Sequence, residues 1–286
     1  MTRQFTVVSF HAHPDDETLL TGGTLARIAA EGHRVVLVTA TLGEAGLADG
    51  PPGAALAIRR RTELLAAAAA LGCARVETLG YLDSGLHGDH PHAVPPGAAG
   101  DPGDPGAAGT PARFADAPVA AAAARLAAIL REERADVLTS YDRRGGYGHP
   151  DHVQVHRVGA LAAGLAATPV LLEATIDRAA LRPLLTLLRV AGRLLPGLPL
   201  GSDSPVFTAH ENLTHTIDVR PYLRQKRSAM RAHVSQAEGG RGPRTLAVLS
   251  RLPGPLFARV AGREWFVEIG REPGPHPATD IFATLR

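Results

Sequence analysis

Apolar positions along the chain alternate between short continuous runs and longer stretches with helical spacing. Residues 5–10, FTVVSF, form an apolar, β-rich run that stops at His11 and predicts a buried strand. Residues 16–31 place Leu19, Leu20, Leu25, Ile28 and Ala29 near a 3.6-residue period. Carboxylates in the first turn and Gly32 just beyond complete the pattern of a helix. RVVLVTATL, residues 34–42, is apolar without alternation, as in a strand covered on both faces. Strand, helix and strand form a βαβ unit with a right-handed crossover. The alternation continues through a helix at 56–71 closed by Gly72, a strand at 74–82, a helix at 117–134, a strand at 136–141, a helix at 153–166 and a strand at 169–175.

This order predicts an α/β fold with a Rossmann-like, doubly wound and largely parallel sheet, its ligand crevice at the carboxyl ends of the strands. After about residue 176 the alternation weakens. A leucine-rich helical stretch at 179–195 precedes a Gly/Pro loop, a strand in LTHTIDV (213–219), a helix in RPYLRQKRSAMRAHVSQ (220–236) and a last strand in REWFVEIG (263–270). Pro221 suits a first helical position. We therefore expect one domain over 1–286, with a core at about 1–176 and a C-terminal α/β extension at about 177–286. Residues 87–112 are rich in Gly, Pro, Ala and Asp without an apolar period, and predict a flexible loop.

With 286 residues, 45% hydrophobic and 20% charged, the chain is neither a disulfide mini-protein nor disordered. LLTLLRVAGRLLPGLPL comes nearest to a membrane span, and Arg189, Arg193 and Pro196 interrupt it. The N-terminus lacks the apolar region of a signal peptide, so a cytoplasmic location is expected. Cys73, the single cysteine, excludes a disulfide framework and a Cys-rich zinc finger. Positive charge is nearly all arginine, with Lys226 the only lysine, a usage that fits a GC-rich bacterial genome. It is scattered among carboxylates, RRR at 59–61 is the one basic run, and aromatics are 4%, which excludes a nucleic-acid surface.

The first βα turn holds His-Ala-His-Pro-Asp-Asp-Glu (11–17) where a dinucleotide site would carry its glycine fingerprint. Like-charged carboxylates at the end of a buried strand are costly unless a cation neutralises them. Capping of the helix dipole accounts for one or two of Asp15, Asp16 and Glu17; it gives no reason for His13-Pro14. The fourth strand ends in Tyr-Asp-Arg-Arg-Gly-Gly-Tyr-Gly-His-Pro-Asp-His (141–152), so the His-Pro-Asp element stands at two strand ends that a parallel sheet can set side by side. His13, Asp16 and His152 then supply two imidazoles and a carboxylate, the composition of an open catalytic zinc site with water in the remaining position. Ferrous enzymes use the same set, which leaves Fe2+ open beside Zn2+. Asp15, next to a ligand, is free to act on the bound water.

HAHPDDE, followed by VTATLGEAG and GGYGHPDH, resembles the PIG-L/LmbE-like family of zinc-dependent N-deacetylases, which hydrolyse the acetamide of N-acetylglucosaminyl conjugates. Within it the chain is most similar to the enzymes that act on N-acetylglucosaminyl-inositol in mycothiol biosynthesis. R-x-x-E-L at Arg60 to Leu64, Asp83-Ser84-Gly85, Phe114-Ala115-Asp116 and the Lys226, His233, Gln236 helix also match. The likeness covers roughly residues 5–160 well and the last third loosely. It implies one Zn2+ per chain on His13, Asp16 and His152, with Asp15 as general base. His149 would protonate the leaving amine or stabilise the oxyanion, Asp151 would orient His149, and Tyr147 would donate toward the tetrahedral intermediate. Arg60 and Asp83 would hold sugar or aglycone hydroxyls. The partner implied is a small glycoconjugate; homo-oligomerisation stays open.

Other readings remain beside these. The same chemistry would serve an amidase cleaving a mycothiol-type S-conjugate, or a deacetylase of a secondary-metabolite glycoside. A metal-dependent phosphoesterase would need further bridging ligands, and a non-catalytic sugar module would need a decayed site. His156 shares a helix face with His152 and is a rival ligand on spacing alone. His87, His90 and His92 open the glycine-rich loop as solvated side chains, and His11 has no assigned role. Asp142 fits a turn as well as a site, Glu44 could line the crevice, and Cys73 packs as a small hydrophobe.

Overall fold

The computed structural model describes residues 3–46, 53–85, 112–180, 208–238 and 245–286. Five strands, β1 (Thr6–His11), β2 (Arg34–Thr41), β3 (Arg75–Tyr81), β4 (Val137–Tyr141) and β5 (Val170–Thr175), run parallel to one another. Between them lie α1 (Asp16–Leu20), α2 (Gly22–Ala30), α3 (Ala54–Leu71), α4 (Val119–Glu132) and α5 (Pro150–Ala166). The C-terminal part adds β6 (His215–Asp218), α6 (Leu223–Ala232), α7 (Val234–Glu238), α8 (Thr245–Arg251), α9 (Gly254–Ala261) and β7 (Arg263–Glu268). The sheet order is β3-β2-β1-β4-β5-β7-β6, with β7 antiparallel to both its neighbours.

Alternate residues of each central strand feed opposite faces. Val8, Phe10, Val36, Val38 and Leu138 pack with Leu126 of α4 and Val155 of α5. Val7, Val35 and Val137 pack with Leu25 and Ile28 of α2, Leu71 of α3 and Ala229 of α6. Burial on both faces is why these strands read as unbroken apolar runs.

Three boundaries differ from the sequence pattern. The helix expected at 16–31 breaks at Thr21, whose hydroxyl donates to Glu17 O at 3.1 Å. At Gly23, just beyond, a Cβ would stand 2.4 Å from the Val219 Cβ, so the close approach of the C-terminal part requires glycine there. The helix expected at 153 starts at Pro150, which puts the second His-Pro-Asp-His element into its first turn. The helix expected at 220–236 opens with a 3-10 turn at Arg220–Tyr222 and splits at His233 into α6 and α7. Helices α8 and α9 were not expected; Leu246 and Phe257 from them join Met230 in a small separate core. The 179–195 stretch beyond residue 180 and nearly all of 87–112, including His87, His90 and His92, lie outside the described residues.

Charge also ties the C-terminal part to the core. Lys226 Nζ lies 2.6 Å from Glu264 Oε1 with both side chains buried. Glu264 also accepts the Gly23 and Thr24 N–H groups at 2.8 and 2.7 Å, capping α2 from strand β7. No described helix is long and apolar enough to cross a membrane.

Candidate active site

Strands β1 and β4 lie side by side, with Val7, Val8 and Ser9 paired to Val137, Leu138 and Thr139. From β1 the sheet grows to β2 and β3 on one side and to β4 and β5 on the other, so the strand order reverses between β1 and β4. That reversal opens a crevice at the carboxyl ends, where the two His-Pro-Asp turns meet. Asp16 Oδ2 lies 3.5 Å from His13 Nδ1 and 3.3 Å from His152 Nε2. One donor atom from each of His13, Asp16 and His152 falls within 4.8 Å of the others.

Two observations show that this trio fits a divalent metal. The His152 Nε2 is buried and faces Asp16 Oδ2 at 3.3 Å without the alignment of a hydrogen bond, a costly state that a cation between them would relieve. The opposite edge of His13 faces carboxylates, with Nε2 3.0 Å from Asp151 Oδ2 and 3.3 Å from Asp83 Oδ1. A carboxylate behind a ligating imidazole is the usual outer support of a metal ligand. Burial disfavours charge on His13, but Asp83, Asp151 and Asp16 outweigh it and hold the imidazole well above the usual histidine range. Burial would likewise raise the Asp16 carboxyl, yet His152 and His13 hold it well below the carboxylate range. The site thus attracts a positive charge, proton or metal.

A second grouping, His13, Asp83, His149 and Asp151, is as compact. Its carboxylates accept from the loop after β3, while Asp16 Oδ2 in the first set accepts the His13 N–H at 3.1 Å. Asp83 Oδ1 accepts the Gly85 N–H at 2.8 Å, and Asp151 accepts the Ser84 N–H at 3.0 Å and its hydroxyl at 2.5 Å. The orphaned nitrogen of His152 belongs to the first set, which is therefore the better metal site.

Asp15 stands beside the trio in an unusual backbone conformation, φ 107° and ψ −31°. Its N–H donates to Glu17 Oε2 at 2.9 Å, and its carbonyl accepts from the Thr18 N–H at 3.0 Å. Burial pushes the Asp15 carboxyl up to about 6; the Arg60 guanidinium 3.5 Å away opposes it and Asp16 adds to it. His149 caps α5: its Nδ1 accepts the Asp151 N–H at 3.1 Å, which leaves the ring proton on Nε2. Burial, then the neighbouring His13 and His152 rings, lower His149 to about 4. It is a neutral imidazole at pH 7 with one N–H to donate.

Residues 8–163 match the family described as PIG-L, GlcNAc-PI de-N-acetylase. The chain belongs to the PIG-L family. A 1D-myo-inositol 2-acetamido-2-deoxy-alpha-D-glucopyranoside deacetylase of Streptomyces griseus is 39% identical over 250 residues, covering 79% of this chain and 73% of the relative. The protein of the same description from Mycobacterium sp. (strain KMS) is 36% identical over 283 residues, covering 96% and 87%. The N,N'-diacetylchitobiose deacetylase of Pyrococcus horikoshii shares the fold at TM-score 0.55 and 22% identity, over 98% of this chain and 88% of that one. The family expected from the two turns, and the doubly wound, largely parallel fold, are both borne out.

In this PIG-L chain the remaining expected residues take distinct places. The Asp151 carboxylate engages His13 and Ser84, and only its backbone N–H meets His149. Asp151, in the first turn of α5, turns its carboxylate toward the loop after β3 and meets the His149 ring through its N–H. Arg60 is buried; it donates to Gly43 O at 2.7 Å and Pro14 O at 2.5 Å beside Asp15. There it braces the first turn. Asp83 is buried against His13. Tyr147 is 60% exposed at the rim, its ring 5.0 Å from that of His152 and 6.2 Å from that of His149.

His156 pairs with Glu173 at 2.8 Å instead of joining the trio. His11 is buried under the site between Ser9 and Tyr141, and burial lowers it to about 4. Glu44 holds the Asp83 N–H at 2.7 Å, and Asp142 accepts the Arg144 and Gly146 N–H groups that shape the Tyr147 loop. Sequence reasoning gave no role to Ser84, although it lies within the matched Asp-Ser-Gly. It also gave none to Tyr141, which anchors His11.

Proposed function

We propose that the chain hydrolyses the acetamide of an N-acetylglucosaminyl conjugate, of the inositol-linked kind its curated relatives are named for, with one zinc ion on His13, Asp16 and His152. The convergence of that trio with Asp15 at the sheet reversal carries the reading. Zinc in such a site acidifies water to near neutral pH and polarises a carbonyl. The donor set accepts Fe2+ as well; zinc is the ion the sequence resemblance implies.

Asp15, ionised at neutral pH, takes the proton of the attacking water. The neutral His149 suits the second of its two expected roles: its Nε2–H donates to the carbonyl oxygen as negative charge develops there. The proton collected by Asp15 is then available to the departing amine, so that acetate and a free glucosaminyl amine leave. Tyr147, exposed at the rim beside His152, would add a second donor to the intermediate. Asp83 and Asp151 hold His13, and Arg60 holds the Asp15 turn.

Zinc-loaded protein should release acetate from N-acetylglucosaminyl-inositol, with a mycothiol-type S-conjugate and a phosphate ester as comparison substrates. Asp15→Asn should lose at least about 100-fold in kcat while still binding metal. An Asp15→Asn variant of full activity would remove Asp15 as the base. Hydrolysis of the phosphate ester, with no amide cleaved, would overturn the activity.

A further inference from the structure

Side chains from opposite ends of the chain converge behind Asp15. Its left-handed conformation, φ 107°, is one that residues with a Cβ adopt only when their surroundings impose it. The Glu17 carboxylate does so on the N–H side, with Oε2 accepting the Asp15 N–H at 2.9 Å. The other oxygen of Glu17, Oε1, lies 2.7 Å from His233 Nε2. Glu17 and His233 are both fully buried. His233 sits where α6 gives way to α7, and its Nδ1 has no partner among the described residues, so its hydrogen bonding is committed to Glu17. Ser235, two residues on, fixes the same junction to α3 through Glu63 at 2.9 and 2.6 Å.

We propose that His233 is a positioning residue for the reaction: by holding Glu17 it keeps the Asp15 backbone in its strained conformation and so aims the Asp15 carboxylate. The inference rests on Asp15 being the base. Without a donor on Oε1 the Glu17 carboxylate is free to turn. The Asp15 N–H then loses its acceptor and φ relaxes toward negative values, carrying the carboxylate off the attacking water. Asp16 follows Asp15 directly in the chain, so part of the metal affinity is lost with the turn, and turnover is compared at saturating zinc.

Two polar variants separate positioning from packing. The amide nitrogen of Gln reaches the place of the His Nε2, whereas that of Asn stops near Nδ1. His233→Asn should lower kcat at saturating zinc roughly 10–100-fold, as loss of an outer support does, with KM unchanged. Hydrogen exchange at the Asp15 amide should accelerate in the same variant. His233→Gln should restore most of kcat and the slow exchange. Ser235→Ala, which loses a bond at the same junction, should keep the wild-type kcat even where its melting temperature falls. Equal losses in the Asn and Gln variants, or an Asp15 amide as protected in His233→Asn as in the wild type, would overturn the proposal. The amide measurement needs no substrate, so a wild-type protein that cleaves no acetamide would sink the proposed activity and leave this inference to be decided on its own.

Discussion

Replacing Gly145 with alanine should damage the metal site through a single misplaced methyl. Gly145 has φ 62°, and a Cβ there would stand 2.6 Å from both the His152 Cβ and the Val153 N. Restoring an ordinary contact of 3.4 Å from 2.6 Å moves the start of α5 by roughly 0.8 Å. Metal–ligand distances tolerate only about 0.2 Å, so His152 leaves its ligating position. Gly148→Ala is the matched control: φ is 92°, and nothing lies within 4 Å of its added Cβ. Both variants carry a left-handed backbone cost of about 1–2 kcal/mol, read from thermal unfolding without metal. Only Gly145→Ala should weaken zinc binding, by roughly 10–100-fold, in competition with a chromophoric chelator. Equal affinities in the two variants would refute the steric reasoning.

Lys226→Met should cost roughly 3–5 kcal/mol in urea unfolding, because it strands the buried Glu264 carboxylate. Adding Glu264→Gln should recover part of that loss, and a cost below about 1 kcal/mol would mean the pair is solvated. Burial, against a weaker pull from Glu268, lowers His215 from 6.5 to about 4. The folded protein therefore keeps this ring neutral while the unfolded chain binds a proton, so stability falls as pH drops from 6.5 to about 4, by up to roughly 3 kcal/mol. His215→Gln should flatten that part of the stability–pH curve, and an unchanged slope would contradict the burial.

The five parallel strands and their helices were legible because hydrophobic period is local, and strands buried on both faces write it plainly. The two His-Pro-Asp turns were legible for a related reason: each lies in one short segment, and the parallel order alone sets their strands side by side. What was hidden depends on pairing across long separations. Strand β7 enters antiparallel between β5 and β6, a choice that no window of its own residues records. Glu264 and Lys226 are 38 residues apart, and each reads in isolation as a solvated charge. Glu17 looked like a cap of its helix, yet its carboxylate binds His233, 216 residues away. Arg60 is a further case: its side chain is buried against Gly43 and Pro14, contacts that its own segment does not record.

Anomalous X-ray scattering at the zinc edge, from crystals of zinc-loaded protein, tests the central claim most directly. The predicted result is one zinc per chain, about 2.0–2.2 Å from a nitrogen of His13, an oxygen of Asp16 and a nitrogen of His152. A single peak held instead by Asp83, His149 and Asp151, with His152 unligated, would contradict it.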